Sequence, residues 1–217
     1  MAEFLSDAVL YLPVLLKGLA MTIVLSLCAL SFSVALGLLL ALGGMSRLAA
    51  LRAPARIFVN IIRGIPIIVQ LFCVYFVLPE VGIELEPFSA GVVGLGIAYS
   101  VYQAENFRSG FQSVDPQTIE AARSLGMTDR NVFHRVTLPL GVRTALPPFG
   151  NTAVMLLKDS SIASTITIAE LTRAGQLLAI STFKNGTIYL LVALLYLAAS
   201  LPLAAAVRHL ERRMGRR

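Results

Sequence analysis

Residues 18–46 carry no charged side chain, and this long apolar run narrows what the chain can fold into more than any other feature. A helix needs roughly 20 apolar residues to cross about 30 Å of hydrocarbon, and the run exceeds that length. Gly37, Gly43 and Gly44 lie within it and would let another helix approach closely. The sequence therefore predicts a membrane-spanning helix over residues 18–46.

Four more segments are predicted as spans, although the uncharged part of the fourth span, residues 144–157, is short for a bilayer. They are residues 57–79, which contain Arg63, residues 88–107, which contain Glu105, residues 140–157 and residues 187–207. The chain has 217 residues, 57% of them hydrophobic and 14% charged, which is one domain's worth of a membrane protein. We expect an all-α polytopic membrane protein in which residues 1–217 form a single transmembrane domain with five transmembrane helices.

The distribution of basic residues predicts the orientation of the chain. The loop between the second and third predicted spans holds Glu80, Glu84 and Glu86 and no basic residue. Short cytoplasmic loops carry the excess of Lys and Arg, so the arginine-rich segments are expected inside. These arginines are Arg47, Arg52 and Arg56, then Arg108, Arg123, Arg130, Arg135 and Arg143, then Arg208, Arg212, Arg213, Arg216 and Arg217. The N-terminus is therefore expected outside and the C-terminus in the cytoplasm.

The rest of the composition argues against several functional classes. The net charge of +6 lies in short patches between apolar runs, as membrane topology requires, so it does not indicate a nucleic-acid-binding surface. Cys28 and Cys73 fall inside predicted spans and are expected to be small buried hydrophobic residues, not a disulfide or metal pair. His134 and His209 are too far apart in sequence to suggest a metal site. Without a phosphate-binding Gly-x4-Gly-Lys-Ser/Thr loop or a nucleophile motif, the chain is not expected to be an enzyme.

Residues 120–139 (EAARSLGMTDRNVFHRVTLP) form a charged island between two predicted spans. Ile119, Ala122 and Leu125 recur at helical spacing, and Gly126 permits a sharp turn after them. A simple link between two spans is the commoner interpretation of such a loop. Two short amphipathic helices are more than a link needs, so we expect the island to face water and to contact a partner.

Capping residues predict two further helix boundaries. Thr128 or Asp129 can cap a second short helix in the island, and Pro139 is expected to end it. Thr167 and Glu170 fit a capping box before a helix that would run to about residue 180. That outer helix could lie along the membrane surface or serve as a periplasmic gate, and the sequence leaves both open.

The island resembles the Glu-Ala-Ala loop of binding-protein-dependent ABC importer permeases. Nearly the whole chain is similar to the permeases for polar amino acids, those for histidine, glutamine, arginine and cystine. The likeness rests on five motifs in the family's order: Arg63-Gly64-Ile65-Pro66 with Gln70; Tyr102, Glu105 and Arg108; Glu120-Ala121-Ala122 with Gly126 and Leu138-Pro139; Pro147-Pro148 with Asn151; and Lys158-Asp159-Ser160-Ser161. One departure is Gln117-Thr118, which stands where the family usually has Gly-Gln and bears on where the helix begins.

The resemblance implies the type I ABC importer permease (MetI-like) core, with a cytoplasmic coupling loop over residues 111–138 and an outer segment over residues 159–186. It implies the transmembrane subunit of an ATP-driven amino-acid importer in a bacterial cytoplasmic membrane, with no cofactor bound by this chain. The implied partners are two copies of an ATP-binding cassette ATPase carrying ATP and Mg, a second permease subunit (identical or a sister chain), an extracytoplasmic solute-binding protein, a small polar amino acid and membrane lipid. The implied ATPase-coupling residues are Glu120, Ala121, Ala122, Gly126, Leu138 and Pro139.

Charged residues in or near the predicted spans suggest function, because charge is costly in a membrane. Arg63 is seven residues past Arg56 and could either reach back to the inner surface or act at a cytoplasmic gate. Glu105 and Arg108 are three residues apart on one helical face and can pair, which favours a structural role over a coupling one. Lys158 lies toward the outer end of the fourth span and is expected to extend outward to the surface.

The fourth span is predicted to be an interrupted helix. Proline removes backbone donors, and such a helix in a transporter points to the substrate path, although a kinked packing helix fits Pro147-Pro148 equally well. The resemblance favours the path, here with Asn151 and Thr152. Relatives that handle cationic amino acids tend to have Glu at the position of Thr152, which disfavours a cationic substrate.

A second irregularity lies in the second predicted span. The run Arg63-Gly64-Ile65-Pro66 adds Arg63, Gly64 and Pro66 to the candidate path residues, with Gly64 allowing a close approach. Two other functions stay in view. An ion-coupled secondary transporter would need intramembrane carboxylates or inverted repeats. Glu105 alone, near the end of a span, is weak support for this function. A membrane assembly subunit without transport would leave Asn151 and the interrupted helix unexplained.

Overall fold

The computed structural model describes residues 2–214, and over that range the chain is helical with no strand. Arg216 and Arg217 of the basic tail lie outside the described residues. The α-helices are α1 (Ala2–Met45), α2 (Ala49–Gly64), α3 (Ile67–Phe72), α4 (Pro87–Gln112), α5 (Pro116–Ser124), α6 (Asp129–Val132), α7 (Leu138–Asp159), α8 (Leu171–Thr182) and α9 (Asn185–Met214). Wider π-helical turns occupy Cys73–Val77 and Phe133–Thr137, and tighter 3₁₀ turns occupy Leu78–Val81 and Ser160–Ile166. The predicted all-α class is confirmed.

Two helices in the described part of the chain are long and apolar enough to cross a membrane, Ser6–Met45 within α1 and Asn185–Arg212 within α9. The pair Ala49–Gly64 and Ile67–Val81 is a third candidate if its two arms form one span. The helices α4 and α7 have 26 and 22 residues, which at 1.5 Å per residue gives lengths of about 39 and 33 Å. Five spans therefore remain a prediction, and each has a helical segment that could provide it.

Ile65 and Pro66 break the second predicted span, whose arms meet at a bend of 108°. Both residues are extended, because a proline cannot donate a backbone hydrogen bond and it pushes the preceding residue out of the helical region. The side chain of Gln70 crosses the break, and its Nε2 donates to the carbonyls of Ile62 and Ile65 at 2.8 Å each. A Cβ at Gly64 would meet nothing within 4 Å, so the close approach predicted there does not occur among residues 2–214.

The main core forms where α1 lies along α4. At Gly37 the two backbones come so close that a Cβ would lie 2.6 Å from Cβ of Gln103 and 2.8 Å from the carbonyl oxygen of Ser100. Only glycine allows this approach, as predicted for small residues in spans. The largest fully buried residues of the adjoining apolar core are Leu25, Leu71, Leu95, Tyr99, Leu156 and Ile166.

A second apolar cluster joins α1, α8 and α9 near the N-terminal end of α1. Leu15, Leu171 and Ile188 are fully buried in it. Beyond the cluster, Nζ of Lys184 donates to both carboxylate oxygens of Asp7 at 2.7 Å. This ion pair fixes the chain between α8 and α9 against the first turns of α1.

The predicted capping box at Thr167 and Glu170 is wrong. Thr167 adopts a left-handed conformation with φ of 69°, and α8 begins after Glu170, which is itself the N-cap. The Glu170 carboxylate accepts hydrogen bonds from the backbone N–H of Thr172 at 2.9 Å and of Arg173 at 2.8 Å. These two donors have no partner inside the helix, so the acid satisfies the first turn that follows it.

Cys28 and Cys73 are exposed, so the prediction that they are buried is wrong. They lie on sides of α1 and of the turn Cys73–Val77 that no other described part of the chain covers. An apolar sequence shows that a residue avoids water. It does not show whether lipid, a second subunit or the chain itself surrounds that residue.

Replacing Gly37 by alanine is expected to destabilise the protein by about 1–3 kcal/mol, the usual cost of overpacking, because Gln103 and Ser100 leave no space for a Cβ. The measurement is the melting temperature of the purified protein in detergent. Gly44→Ala in the same helix is the matched control, because a Cβ there meets nothing within 4 Å and alanine favours helix. A G37A protein as stable as G44A would contradict the described contact between α1 and α4.

Candidate functional site

The charged island folds as two short helices, of which α5 starts four residues before Glu120. Asp115 is the N-cap of α5, and its carboxylate accepts a hydrogen bond from the backbone N–H of Gln117 at 2.9 Å. Pro116 follows at the first helical position, where its missing N–H costs nothing. The cap and the proline lie five and four residues before Glu120, so the helix begins before the Glu-Ala-Ala motif.

The turn between α5 and α6 is fixed by local contacts. Gly126 has φ of 79°, the left-handed conformation that the sequence predicted for a sharp turn at this glycine. Thr128 caps α6 by accepting from the backbone N–H of Asn131, which decides between the two predicted caps. The guanidinium of Arg123 bridges the turn to a carboxylate oxygen of Asp129 at 3.0 Å. The two helices are therefore held in one arrangement by a cap, a glycine and an ion pair.

The island exposes one set of side chains and buries another. Ala122 and Val132 are 7% and 3% exposed and hold α5 and α6 against the rest of the chain. Glu120 and Ala121 are exposed, and Leu125 is 84% exposed because α5 ends one residue earlier. The helical spacing of Ile119, Ala122 and Leu125 therefore does not give the three residues the same environment, because Leu125 lies after the end of α5. An exposed leucine on the same surface as the exposed Glu120 carboxylate is suited to contact with another protein.

The predicted end of the second island helix at Pro139 is also wrong. The chain stays helical from Asp129 through the π-helical turn Phe133–Thr137 and into α7. Pro139 lies in the first turn of α7, where proline is tolerated, and it is exposed, while Leu138 is half-buried. The island is thus joined to α7 without a loop.

Three of the predicted charged residues meet at the end of α4. Arg108 forms a two-point ion pair with Glu105 on the same helix, including Nε to Oε2 at 3.0 Å. Nη2 of Arg63, from α2, approaches the same carboxylate at 3.7 Å. All three side chains are about two-fifths exposed. Arg63 is therefore next to Glu105, a contact across helices that the sequence did not predict.

The two path residues predicted in α7, Asn151 and Thr152, differ in their exposure. The helix is continuous across Pro147 and Pro148, so the predicted interruption there is wrong, and the irregular turns lie before and after α7 instead. Asn151 is exposed, and its Nδ2 donates to Glu211 of α9 at 3.3 Å. Thr152 is 7% exposed and faces α4.

The Thr152 hydroxyl joins α7 to α4. Thr152 Oγ1 donates to the carbonyl oxygen of Pro148 at 2.9 Å and accepts from Nδ2 of Asn106 at 3.0 Å. Asn106 in turn donates to Oε1 of Gln103 at 3.1 Å. Thr152 therefore fixes this turn of α7 against α4, and of the two residues only Asn151 is exposed to a ligand.

Two polar contacts, one at the end of α7 and one at the start of α8, were not predicted from the sequence. The hydroxyl of Tyr99 donates to Oδ2 of Asp159 at 2.6 Å, while the neighbouring Lys158 is exposed. Asp159 belongs to the Lys158-Asp159-Ser160-Ser161 motif, two residues after the predicted span. Its partner lies 60 residues away on α4, which no local pattern reveals.

The second missed contact is centred on Glu170, which is fully buried. Besides the two backbone donors, its carboxylate accepts from the Tyr196 hydroxyl at 2.8 Å and lies 3.3 Å from the Thr22 hydroxyl. Burial raises the pKa of the Glu170 carboxyl, and the hydrogen bonds from these donors oppose that rise. One buried acid thus connects α1, α8 and α9.

Comparison with protein families gives one match over most of the chain. Residues 33–216 match the family described as the binding-protein-dependent transport system inner membrane component. The probable amino-acid ABC transporter permease protein YckA of Bacillus subtilis is 37% identical over 186 residues, which cover 86% of this chain and 82% of that protein. The glutamine transport system permease protein GlnP of Escherichia coli is 36% identical over 208 residues, 94% of each chain.

Solved structures show the same fold. A chain from the crystal structure of an amino acid ABC transporter with histidines has a TM-score of 0.91 and 38% identity, covering 97% of this chain and 98% of that one. A chain of the inward-facing MetNI methionine ABC transporter has a TM-score of 0.67 and 21% identity, covering 94% and 98%. The second likeness extends to the fold alone.

Removal of the Glu170 carboxylate is expected to lower stability by about 2–4 kcal/mol, because Glu170→Ala removes a helix cap and leaves buried donors without an acceptor. Thermal unfolding in detergent measures the change. Glu84→Ala removes an exposed acid from the loop before α4 and is expected to change stability by less than about 0.5 kcal/mol. Equal stability of E170A and E84A would contradict the network described for Glu170.

Proposed function

Because the chain belongs to the family of binding-protein-dependent transport system inner membrane components, we propose that it is the transmembrane subunit of an ATP-driven importer of a small polar amino acid. The observation that carries the proposal is the exposed island, which is joined to α7 as continuous helix. The names of the relatives support an amino acid as the substrate class. A separate solute-binding protein would select the substrate outside the membrane.

The ATPase-coupling surface is formed by Glu120, Ala121, Ala122 and Gly126, with Leu138 and Pro139 at its connection to α7. Exposed Glu120 and Ala121 would contact an ATP-binding cassette subunit, one of two in the complex, which holds ATP and Mg. Leu125 adds a bare apolar side chain to this surface. Buried Ala122 and left-handed Gly126 set its shape.

Movement of the island would pass directly to the membrane part. The π-helical turn Phe133–Thr137 continues α6 into α7, so no flexible loop can absorb a displacement. Glycines bring α7 close to its neighbours: a Cβ at Gly150 would lie 2.6 Å from the Val207 side chain of α9, and Gly141 contacts Phe111 of α4. Nucleotide-driven motion at α5 and α6 would therefore reach α4 and α9.

The substrate path is proposed along exposed Asn151 of α7, with Thr152 as its support, and along the break at Arg63, Gly64 and Pro66. A second permease subunit, identical or a sister chain, would form the other wall. Glu105 and Arg108 would hold Arg63 at the inner end of the path. Lys158 at the end of α7 is exposed and would either extend outward to the membrane surface or act in gating.

The proposed membrane placement has five spans in a bacterial cytoplasmic membrane. They are provided by α1, the bent pair α2–α3, α4, α7 and α9, with the N-terminus outside and the C-terminus in the cytoplasm. The segment from Asp159 to Gly186, which contains α8, would lie toward the outer side.

Substitutions on the coupling surface are expected to abolish uptake without affecting substrate capture. Glu120→Lys reverses an exposed charge, and Gly126→Asp places a side chain at a left-handed position. The measurement is uptake of a radiolabelled amino acid into cells or proteoliposomes, together with ligand binding by the separate solute-binding protein. We expect uptake to fall to background while ligand binding stays normal.

Thr118→Lys is the matched control, because it places the same lysine side chain on the opposite side of α5, and it is expected to preserve uptake. Full uptake by both coupling variants at normal expression would contradict the proposed coupling surface. Uptake that survives ATP depletion and is lost with an ionophore would instead support ion-coupled transport.

A further inference from the structure

A cavity of about 300 Å³ lies between α1, α2 and α4, at the Met45 end of α1. Its floor is apolar, formed by the last turns of α1 and by Ala104 of α4. Its rim is polar and comes mainly from α2, through Arg56, Asn60 and Arg63. Glu105 and Arg108 of α4 complete the lining. The coupling surface and Asn151 do not contribute to this cavity.

The charges around the cavity do not balance. Three guanidinium groups face one carboxylate, so two positive charges are in excess. Arg108 already binds both oxygens of Glu105 and donates to Gln112 at 2.6 Å. Arg63 approaches Glu105 only at 3.7 Å. Across residues 2–214, the side chains of Arg56 and Asn60 form no hydrogen bond or ion pair.

The spacing of these donors presents them on one face of α2. Asn60 is four residues after Arg56 and three before Arg63, so the three side chains form one stripe along the helix. Ile57 and Ile61 lie beside the stripe and are 57% and 55% exposed. The helix α2 thus combines cationic and amide donors, of which only Arg63 approaches a carboxylate in residues 2–214, with an exposed apolar face.

We propose that the Arg56–Asn60–Arg63 stripe is a binding site for a phosphate group. Guanidinium groups bind phosphate oxygens through paired N–H donors, and the Asn60 amide adds a further donor between them. A phosphodiester would offset one of the two excess charges that Glu105 leaves uncompensated, and inorganic phosphate would offset up to two. The inference does not depend on the proposed transport function.

The phosphate could belong to a phospholipid headgroup or to a free anion. A lipid fits the surroundings, because basic pockets between transmembrane helices on the cytoplasmic side bind anionic headgroups. Its acyl chains would lie against Ile57 and Ile61, next to the stripe. A free phosphate would use the same donors and leave the apolar face bare.

The test uses the full-length protein, purified in detergent and stripped of lipid. In one arm, native mass spectrometry follows adducts with phosphatidylglycerol; in the other, isothermal titration calorimetry follows binding of inorganic phosphate. We expect Arg56→Gln to weaken binding about tenfold in at least one arm, because the substitution removes a charged hydrogen-bond donor from the site. Retention of the lipid alone identifies a headgroup site, and binding of inorganic phosphate identifies a site for a soluble anion.

Arg47→Gln is the control, because Arg47 carries the same charge, is exposed and lies between α1 and α2 outside the cavity. It is expected to bind like the unmodified protein. Equal weakening by R56Q and R47Q would show only general attraction to positive charge and would overturn the proposal. Failure of the unmodified protein to bind either ligand would overturn it as well.

Discussion

A polar group that leaves water has to find its partner inside the protein, and the irregular parts of this chain follow from that constraint. Gln70 crosses the break at Ile65 and Pro66 and donates to two carbonyls there. Glu170 does the same for the first turn of α8, where it accepts from two backbone N–H groups. The breaks therefore have fixed geometry, and the apolar helices between them can expose long bare faces without loss of the fold.

These polar contacts also explain how the helices are tied together. Tyr196 and Thr22 reach Glu170 from α9 and α1, and Tyr99 reaches Asp159 from α4. Close packing at Gly37 brings α1 onto α4. The chain continues from α6 through Phe133–Thr137 into α7 as helix, so the island is joined to the membrane helices without a flexible loop. An exposed surface with such an attachment is suited to transmit a displacement.

The sequence predicted the helical class, the turn at Gly126 and the pair of Glu105 and Arg108, since each depends on residues close together in the chain. It did not predict the role of Glu170, whose side-chain partners lie 148 and 26 residues away. The exposure of Cys28 and Leu125 could not be predicted from the sequence either, because an apolar pattern does not show which part of the protein covers a residue. The function could be predicted only from the family motifs, because a charged loop between apolar helices occurs in proteins of many functions.

The central claim is that the island formed by α5 and α6 receives force from a separate nucleotide-hydrolysing subunit. Site-specific photocross-linking from residue 125 tests it most directly, because Leu125 is 84% exposed directly after α5. The assembled transporter should form a cross-link to the ATPase subunit from residue 125, and none from residue 183, an exposed position after α8. Active transport by an assembly in which no such subunit cross-links to the island would contradict the account.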